Sequence, residues 1–234
     1  MTAAERPAGV LFDVDGTLVD TTYLHTTAWW SALRQAGYDV PMALIHRSIG
    51  MGADKLLDHV LGAGRDRSRD AQLRAAHVAL YAEYWSRLRP LPGAPQLLRA
   101  CAARALRVVL ASSASATELA ALRRVLDVDD VITGATSGSD AKETKPEPDI
   151  VEAALAAGGL SPDRAVFVGD SVWDVAAAGR LGIPCVAVTC GGTSRAELVE
   201  AGARAVYPDP AALLADLDAS PIGALTRPAA ATHS

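Results

Sequence analysis

The chain has 234 residues, 50% of them hydrophobic, and a formal charge of −5 from 22 basic and 27 acidic side chains. That length and apolar content suit one domain, or one domain with an insertion, and exclude disorder outside the ends. No block of Lys or Arg provides a footprint for nucleic acid or an anionic membrane, so a small molecule is the expected partner.

The opening MTAAERPAG has no apolar stretch of signal-peptide length, and no later segment approaches the ~20 apolar residues of a membrane span. Three cysteines, Cys101, Cys185 and Cys190, lack C-x-x-C spacing and read as reduced and mostly buried, so a cytoplasmic protein is expected. The run VLF before Asp13 reads as a first strand. Across 20–89 strand-like runs vanish, and helical periodicity continues through LHTTAWWSALRQAG, ADKLLDHVLG and AQLRAAHVALYAEYWSRL. This is an all-helical insertion, and RPLPGAP from Arg89 has the Pro and Gly punctuation of a return linker.

Four further strand-like runs follow: LRVVLAS from Leu106, DVITG from Asp130, AVFVG from Ala165 and CVAVT from Cys185. They are short and lack polar alternation, as strands covered on both faces do, and Ala-rich helical stretches lie between them. The pattern predicts an α/β fold with a doubly wound parallel sheet. Capping boxes are expected at Ser115 with Glu118, Ser171 with Asp174, and Ser194 with Glu197. Gly158-Gly159 and Gly182 read as helix stops. The expected division is a sheet core over 1–19 and 90–220, a helical insertion over 20–89, and a loose tail over 221–234.

In open α/β sheets, ligands bind beyond the carboxyl ends of the strands. Polar residues that end the runs are Asp13, Ser112 with Ser113, and Asp170, and Lys145 in KPEPD precedes the helix before the fourth strand. Asp15-Gly16 between apolar runs is also a strong hairpin-turn signal, so VLFDVDGTLV reads either as a turn or as a nucleophile with its acid. Phosphoryl transfer explains the wider set. A carboxylate approaching an anionic phosphoryl group is repelled unless cations neutralise both. Asp13, Asp15 and Asp170 offer hard oxygens suited to Mg²⁺, Lys145 adds a positive charge, and Ser112 offers a hydrogen-bond donor.

These residues resemble the haloacid dehalogenase-like superfamily of aspartate-nucleophile hydrolases over nearly all of 9–210. DVDGT from Asp13, the strand-terminal ASS with Ser112, Lys145 in KPEPD, and GDSVWD from Gly169 to Asp174 occur in the family's order. The four fixed letters of the first motif should arise by chance in on the order of one such chain in a thousand. The resemblance implies that Asp13 is the nucleophile, forming an aspartyl-phosphate, and that Asp15 protonates the leaving oxygen and then activates water. It implies that Ser112, Ser113 and Lys145 hold the phosphoryl group. It also implies Mg²⁺ on the carboxylates of Asp13 and Asp170 and the backbone carbonyl of Asp15, with Asp174 orienting the metal's surroundings. The insertion resembles the type 1 cap, which closes over the site and excludes water. On this reading the Asp15-Gly16 turn is what faces the second carboxylate back toward the phosphate.

In the insertion, His25 is placed to meet the substrate or a catalytic carboxylate, though a local hydrogen bond on its helix is equally compatible. IGMGADK, with Met51 and Gly52, suits a loop that closes onto substrate or a plain inter-helix turn. His46, His59 and His77 have no partner spacing and read as structural or exposed. Within the family, Asp15 argues against the dehalogenase and phosphonate-cleaving branches, which replace that carboxylate. TTYLHTTAW resembles the matching segment of β-phosphoglucomutases, but those mutases hold a second phosphate with a cap-loop arginine where Ala53 stands. A phosphatase acting on a small phosphorylated metabolite is therefore expected, with a sugar phosphomutase as the alternative. A non-catalytic phosphate-binding module would have lost a motif residue, and none is lost. Monomer and homodimer are both open.

Overall fold

Residues 6–226 are described by a computed structural model. Six strands, β1 (Gly9–Phe12), β2 (Arg107–Ala111), β3 (Gly134–Thr136), β4 (Ala165–Gly169), β5 (Cys185–Val188) and β6 (Ala205–Tyr207), form one sheet in the order β3-β2-β1-β4-β5-β6. Every neighbouring pair is parallel. The helices are α1 (Thr22–Gln35), α2 (Met42–Ser48), α3 (Ala53–Leu61), α4 (Asp70–Ala82), α5 (Ala94–Ala103), α6 (Ala116–Leu126), α7 (Asp149–Gly158), α8 (Val172–Arg180), α9 (Arg195–Glu200), α10 (Pro210–Ala215) and α11 (Pro221–Ala224).

Side chains along a strand alternate between faces, and here both faces are apolar. Val10, Phe12, Val108, Leu110 and Val168 pack with Leu97 of α5, Leu122 of α6 and Leu213 of α10. Leu11, Val109, Ala111 and Phe167 pack on the opposite side with Ile150 and Ala154 of α7, Val175 of α8 and Leu198 of α9. This is a doubly wound α/β core. Between β1 and β2 the helices α1 to α4 build a separate cluster from Trp29, Leu33, Val40, Ile45, Leu56, Leu57 and Leu73. Burying each such large side chain contributes about 1.5–3 kcal/mol, so the insertion carries a core of its own. It is an all-helical cap domain inserted in the α/β core.

Three details differ from the sequence reading. The third strand is not DVITG: Asp129–Val131 form a helical turn and β3 begins at Gly134. Asp129 and Asp130 pair with Arg123 and Arg99 at the surface, while Val131 and Ile132 pack on the core as connection residues, which periodicity cannot tell from a strand. The edge strand β6 gave no signal because it is three residues long and only Val206 is buried. The tail expectation fails at its start, since α11 is capped by Ser220 and buries Ile222 completely against the core. The remainder of that tail, 227–234, and the N-terminal 1–5 lie outside the described residues. No helix among the described residues is long and apolar enough to cross a membrane.

Candidate active site

Strand order runs outward in both directions from β1 and β4, which makes the crevice beyond their carboxyl ends the topological switch point. Asp13 follows β1 and Asp170 follows β4, and the amide of Asp13 donates to Val168 O at 2.9 Å. After Asp13 the chain turns back. Gly16 has φ 76°, and a Cβ there would stand 2.2 Å from Thr22 Oγ1 and 2.6 Å from Asp170 Oδ2. Only glycine fits, for conformation and for space. The turn and the carboxylate pair of the opening stretch are thus one structure, with Asp13 and Asp15 lining the same cavity.

Lys145 is buried to 1% exposure, with Nζ 2.6 Å from Asp13 Oδ1 and 2.7 Å from Asp174 Oδ1. Asp174 is aimed by local structure: its Oδ2 accepts from Ser171 N at 3.0 Å and from Ser171 Oγ at 2.6 Å, a capping box at the start of α8. Oxygens of Asp13, Asp170 and Asp174 lie within 4.8 Å of one another. Thr17 Oγ1 sits between them, 3.1 Å from Asp170 Oδ1 and 3.4 Å from Asp13 Oδ2. Burial, only partly offset by Lys145, pushes the Asp13 carboxyl up to about 7. Burial and the charges of Asp174 and Asp13 hold Asp170 well above the usual carboxylate range. Lys145 is held charged by Asp13 and Asp174 against the opposing effect of its burial. Three buried carboxylates against one ammonium leave an excess of negative charge on hard oxygen donors, and this donor set fits a divalent cation.

Asp15 has a different environment. Thr21 Oγ1 donates to its Oδ1 at 2.8 Å, and His25 Nε2 lies 3.3 Å from the same atom. Burial would raise the Asp15 carboxyl, but the hydrogen bond and charge of His25 outweigh it and hold the group below its ordinary value. His25 Nε2 is also 3.4 Å from Glu118 Oε1, and His25 Nδ1 is 3.1 Å from His77 Nε2. Burial opposes the charge on His25, yet Asp15 and Glu118 raise its pKa. Burial and the charge of His25 drive His77 down to about 2, which favours its neutral form beside the His25 ring. In the metal-free protein the two neighbouring carboxyls are thus shifted in opposite directions, Asp13 up by burial and Asp15 down by His25.

The cavity, about 250 Å³, is walled by Asp13, Asp15 and Lys145 from the core and by His25, Met51, Gly52 and Arg74 from the cap. Ser113 lines it as well. Ser112 lies at the end of β2, 1% exposed, with its Oγ accepting from Ala114 N at 3.1 Å. The structure therefore brings together Asp13, Asp15, Lys145, Asp170 and Asp174, with Ser112 close by on the adjoining strand end. Three neighbours escaped the sequence reading. His77 is buried against His25 rather than isolated, Arg74 lines the cavity, and Glu118 turns a carboxylate oxygen toward His25. Glu118 was legible only as a capping partner of Ser115, whose hydroxyl does accept from the Glu118 amide at 3.3 Å.

Comparison with known proteins agrees with this geometry. A family model for haloacid dehalogenase-like hydrolases matches residues 7–182. A phosphoglycolate phosphatase of Rhodospirillum rubrum is 33% identical over 217 residues, covering 88% of this chain and 89% of that protein. Among solved structures, a hydrolase from Pseudomonas syringae superposes with TM-score 0.86 at 31% identity, over 91% of this chain and 98% of that one. A β-phosphoglucomutase from Clostridium difficile shares the fold, with TM-score 0.75 at 19% identity over 87% of this chain and 92% of the other. The chain belongs to the haloacid dehalogenase-like hydrolases.

Proposed function

We propose that this hydrolase removes the phosphoryl group from small phosphomonoesters in two steps through Asp13. An Asp13 oxygen attacks phosphorus, the bond to the ester oxygen breaks, and that oxygen leaves with a proton from Asp15. Water then attacks the aspartyl-phosphate, giving its proton to the Asp15 carboxylate, and the bond between phosphorus and Asp13 breaks to release orthophosphate. His25 Nε2, 3.3 Å from Asp15 Oδ1, holds that carboxyl in place for both proton transfers. Lys145 neutralises Asp13 as the anionic group approaches, and Ser112 and Ser113 donate to phosphoryl oxygens. Mg²⁺, bound by Asp13 and Asp170 with the backbone carbonyl of Asp15 and supported by Asp174, would supply charge neutralisation for the transferring group. The observation that carries this reading is the contact of Lys145 with Asp13 at 2.6 Å within a buried acidic cluster that opens on the cavity shared with Asp15.

The relatives named phosphoglycolate phosphatases make 2-phosphoglycolate the first substrate to test, and Arg74 on the cavity wall supports an anionic second end. A cytoplasmic setting suits such a metabolite, and all three cysteines are free. Ala53 on the cavity wall, in place of a cap-loop arginine, disfavours the mutase. The test is release of orthophosphate from a panel of glycolate, sugar, polyol and nucleoside phosphates with Mg²⁺ or with excess chelator, with products followed by phosphorus NMR. Free phosphate should accumulate only with Mg²⁺ and without need of a bisphosphate primer. Full activity in chelator, or primer-dependent conversion of a sugar 1-phosphate to its 6-phosphate, would overturn the reading.

The acidic cluster also predicts an effect on stability. Because the Asp170 pKa is raised above its unfolded value, the metal-free folded state holds that proton more tightly than the unfolded chain does. Stability then falls as pH rises between the two values, and the cost is present near neutral pH. Asp170→Asn should raise the metal-free Tm, by roughly 2–4 °C per kcal/mol of repulsion relieved. It should also remove most of the Mg²⁺-induced rise seen in the parent. Calorimetry with and without Mg²⁺ checks this, and a variant that melts below the parent in metal-free buffer would contradict it.

A further inference from the structure

The segment between β3 and α7 carries Lys145 and has little regular structure of its own, a single helical turn at Gly138–Asp140. It is gripped from the cap at the residue just before Lys145. Lys55 Nζ, from α3, donates to Thr144 O at 2.9 Å, and Thr144 Oγ1 donates to Asp54 Oδ1 at 3.1 Å. Lys55 Nζ also lies 3.5 Å from Glu143 and 3.7 Å from Glu147, which flank the same spot. Gly52 packs so tightly on Thr144 that a Cβ there would stand 2.1 Å from Thr144 Cγ2. Three residues at the start of one cap helix thus close on a single core residue, and none of them takes part in the chemistry described above.

A buried lysine that must hold its Nζ 2.6 Å from Asp13 needs a fixed backbone; the core ties the loop through Arg180 on Glu147 and Asp149 on the Glu143 amide, and the cap grips Thr144 between those two points. We propose that Thr144, clasped by Asp54 and Lys55, is a positioning contact through which cap closure seats Lys145. An open cap releases the loop and leaves the site without its ordered cation. Closure therefore completes the catalytic constellation as well as excluding water, a coupling of the kind that lets binding energy assemble a site. The proposal rests on the phosphatase reading, in which Lys145 acts on the phosphoryl group.

The test is steady-state hydrolysis of p-nitrophenyl phosphate by Lys55→Met and Lys55→Arg, each made in the parent and in a Lys145→Ala background, with thermal melts to confirm folding. Lys55→Met keeps the stem and loses the donor. Its kcat should fall roughly tenfold to a hundredfold, the scale of a small misplacement of a reacting group, with KM changed far less. Lys55→Arg should restore most of the loss. In the Lys145→Ala background Lys55→Met should cost nothing further in kcat, because its effect runs through Lys145. Parent-like kcat in Lys55→Met, or an equal loss with Lys145 already absent, would overturn the proposal while leaving the phosphatase reading intact. A parent protein that hydrolyses no phosphomonoester would overturn both.

Discussion

Asp13→Asn should abolish turnover of every phosphomonoester while leaving the fold intact. The amide is too poor a nucleophile to form the phosphoenzyme, and no other carboxylate in the cluster can replace it. Asp174 is fixed by its capping box and Lys145, and Asp170 contacts Thr17. A loss of at least ~10⁴ in kcat is expected, comparable to removal of the nucleophile in other covalent hydrolases. Stability should move the other way. Burial pushes the Asp13 carboxyl up to about 7 in the folded protein from an ordinary value of 3.8, so the metal-free parent loses stability as pH climbs through that interval. The asparagine variant has no such proton to lose, and its metal-free stability should be flatter over the same range. Urea unfolding at several pH values checks the sign. Steady turnover by Asp13→Asn would remove Asp13 from the mechanism.

Lys145→Ala should cost both activity and stability. With the ammonium gone, Asp13 has lost the cation that offsets its charge, and one such electrostatic contact is typically worth ~10²–10³ in kcat. The ion pair is fully buried, so solvent screens it little, and breaking it leaves uncompensated carboxylates. A loss of about 3–5 kcal/mol is expected in metal-free buffer near neutral pH. At lower pH the stability loss should shrink, since protonation of Asp13 removes one of the charges that Lys145 balances. Parallel measurement of kcat and unfolding midpoint tests both parts. Wild-type turnover in this variant would move the phosphate site elsewhere.

That double effect marks where the sequence stops being informative. Lys145 lies outside any periodic apolar face in the sequence, which points to a residue that folding can spare, yet the structure buries it as deeply as Phe12 or Phe167. Asp13, Ser112 and Asp170 were legible because each ends a strand-like run, and parallel strands present their ends to one crevice. The Gly16 turn was legible for the same local reason. Of the surroundings of Asp15, His25 was legible as a residue placed to meet a catalytic carboxylate, and the rest was not. His25, His77 and Glu118 come from α1, α4 and α6, and no spacing in the chain announces that three helices meet at the His25 ring. Thr144 was equally silent, because its importance lies in what the cap places on it. The sheet edges failed for a simpler reason: β3 and β6 are three residues each, too short for periodicity to register. Ile222 gave no warning because one buried side chain on a four-residue helix carries no pattern.

In the proposed reaction Asp13 takes up the phosphoryl group while Asp15 only moves protons. Asp15→Asn separates the two, since loss of proton transfer costs typically ~10²–10⁴-fold and an activated ester needs no protonated leaving group. With p-nitrophenyl phosphate and Mg²⁺ this variant should release a burst of nitrophenolate, up to about one equivalent per site, and then slow as water attack stalls. Intact-protein and peptide mass spectrometry of the stalled enzyme is the most direct measurement. The added mass of one phosphoryl group is expected on the peptide containing Asp13, lost on treatment with hydroxylamine. Burst release with no phosphoryl group on that peptide, or with the group on another residue, would contradict it.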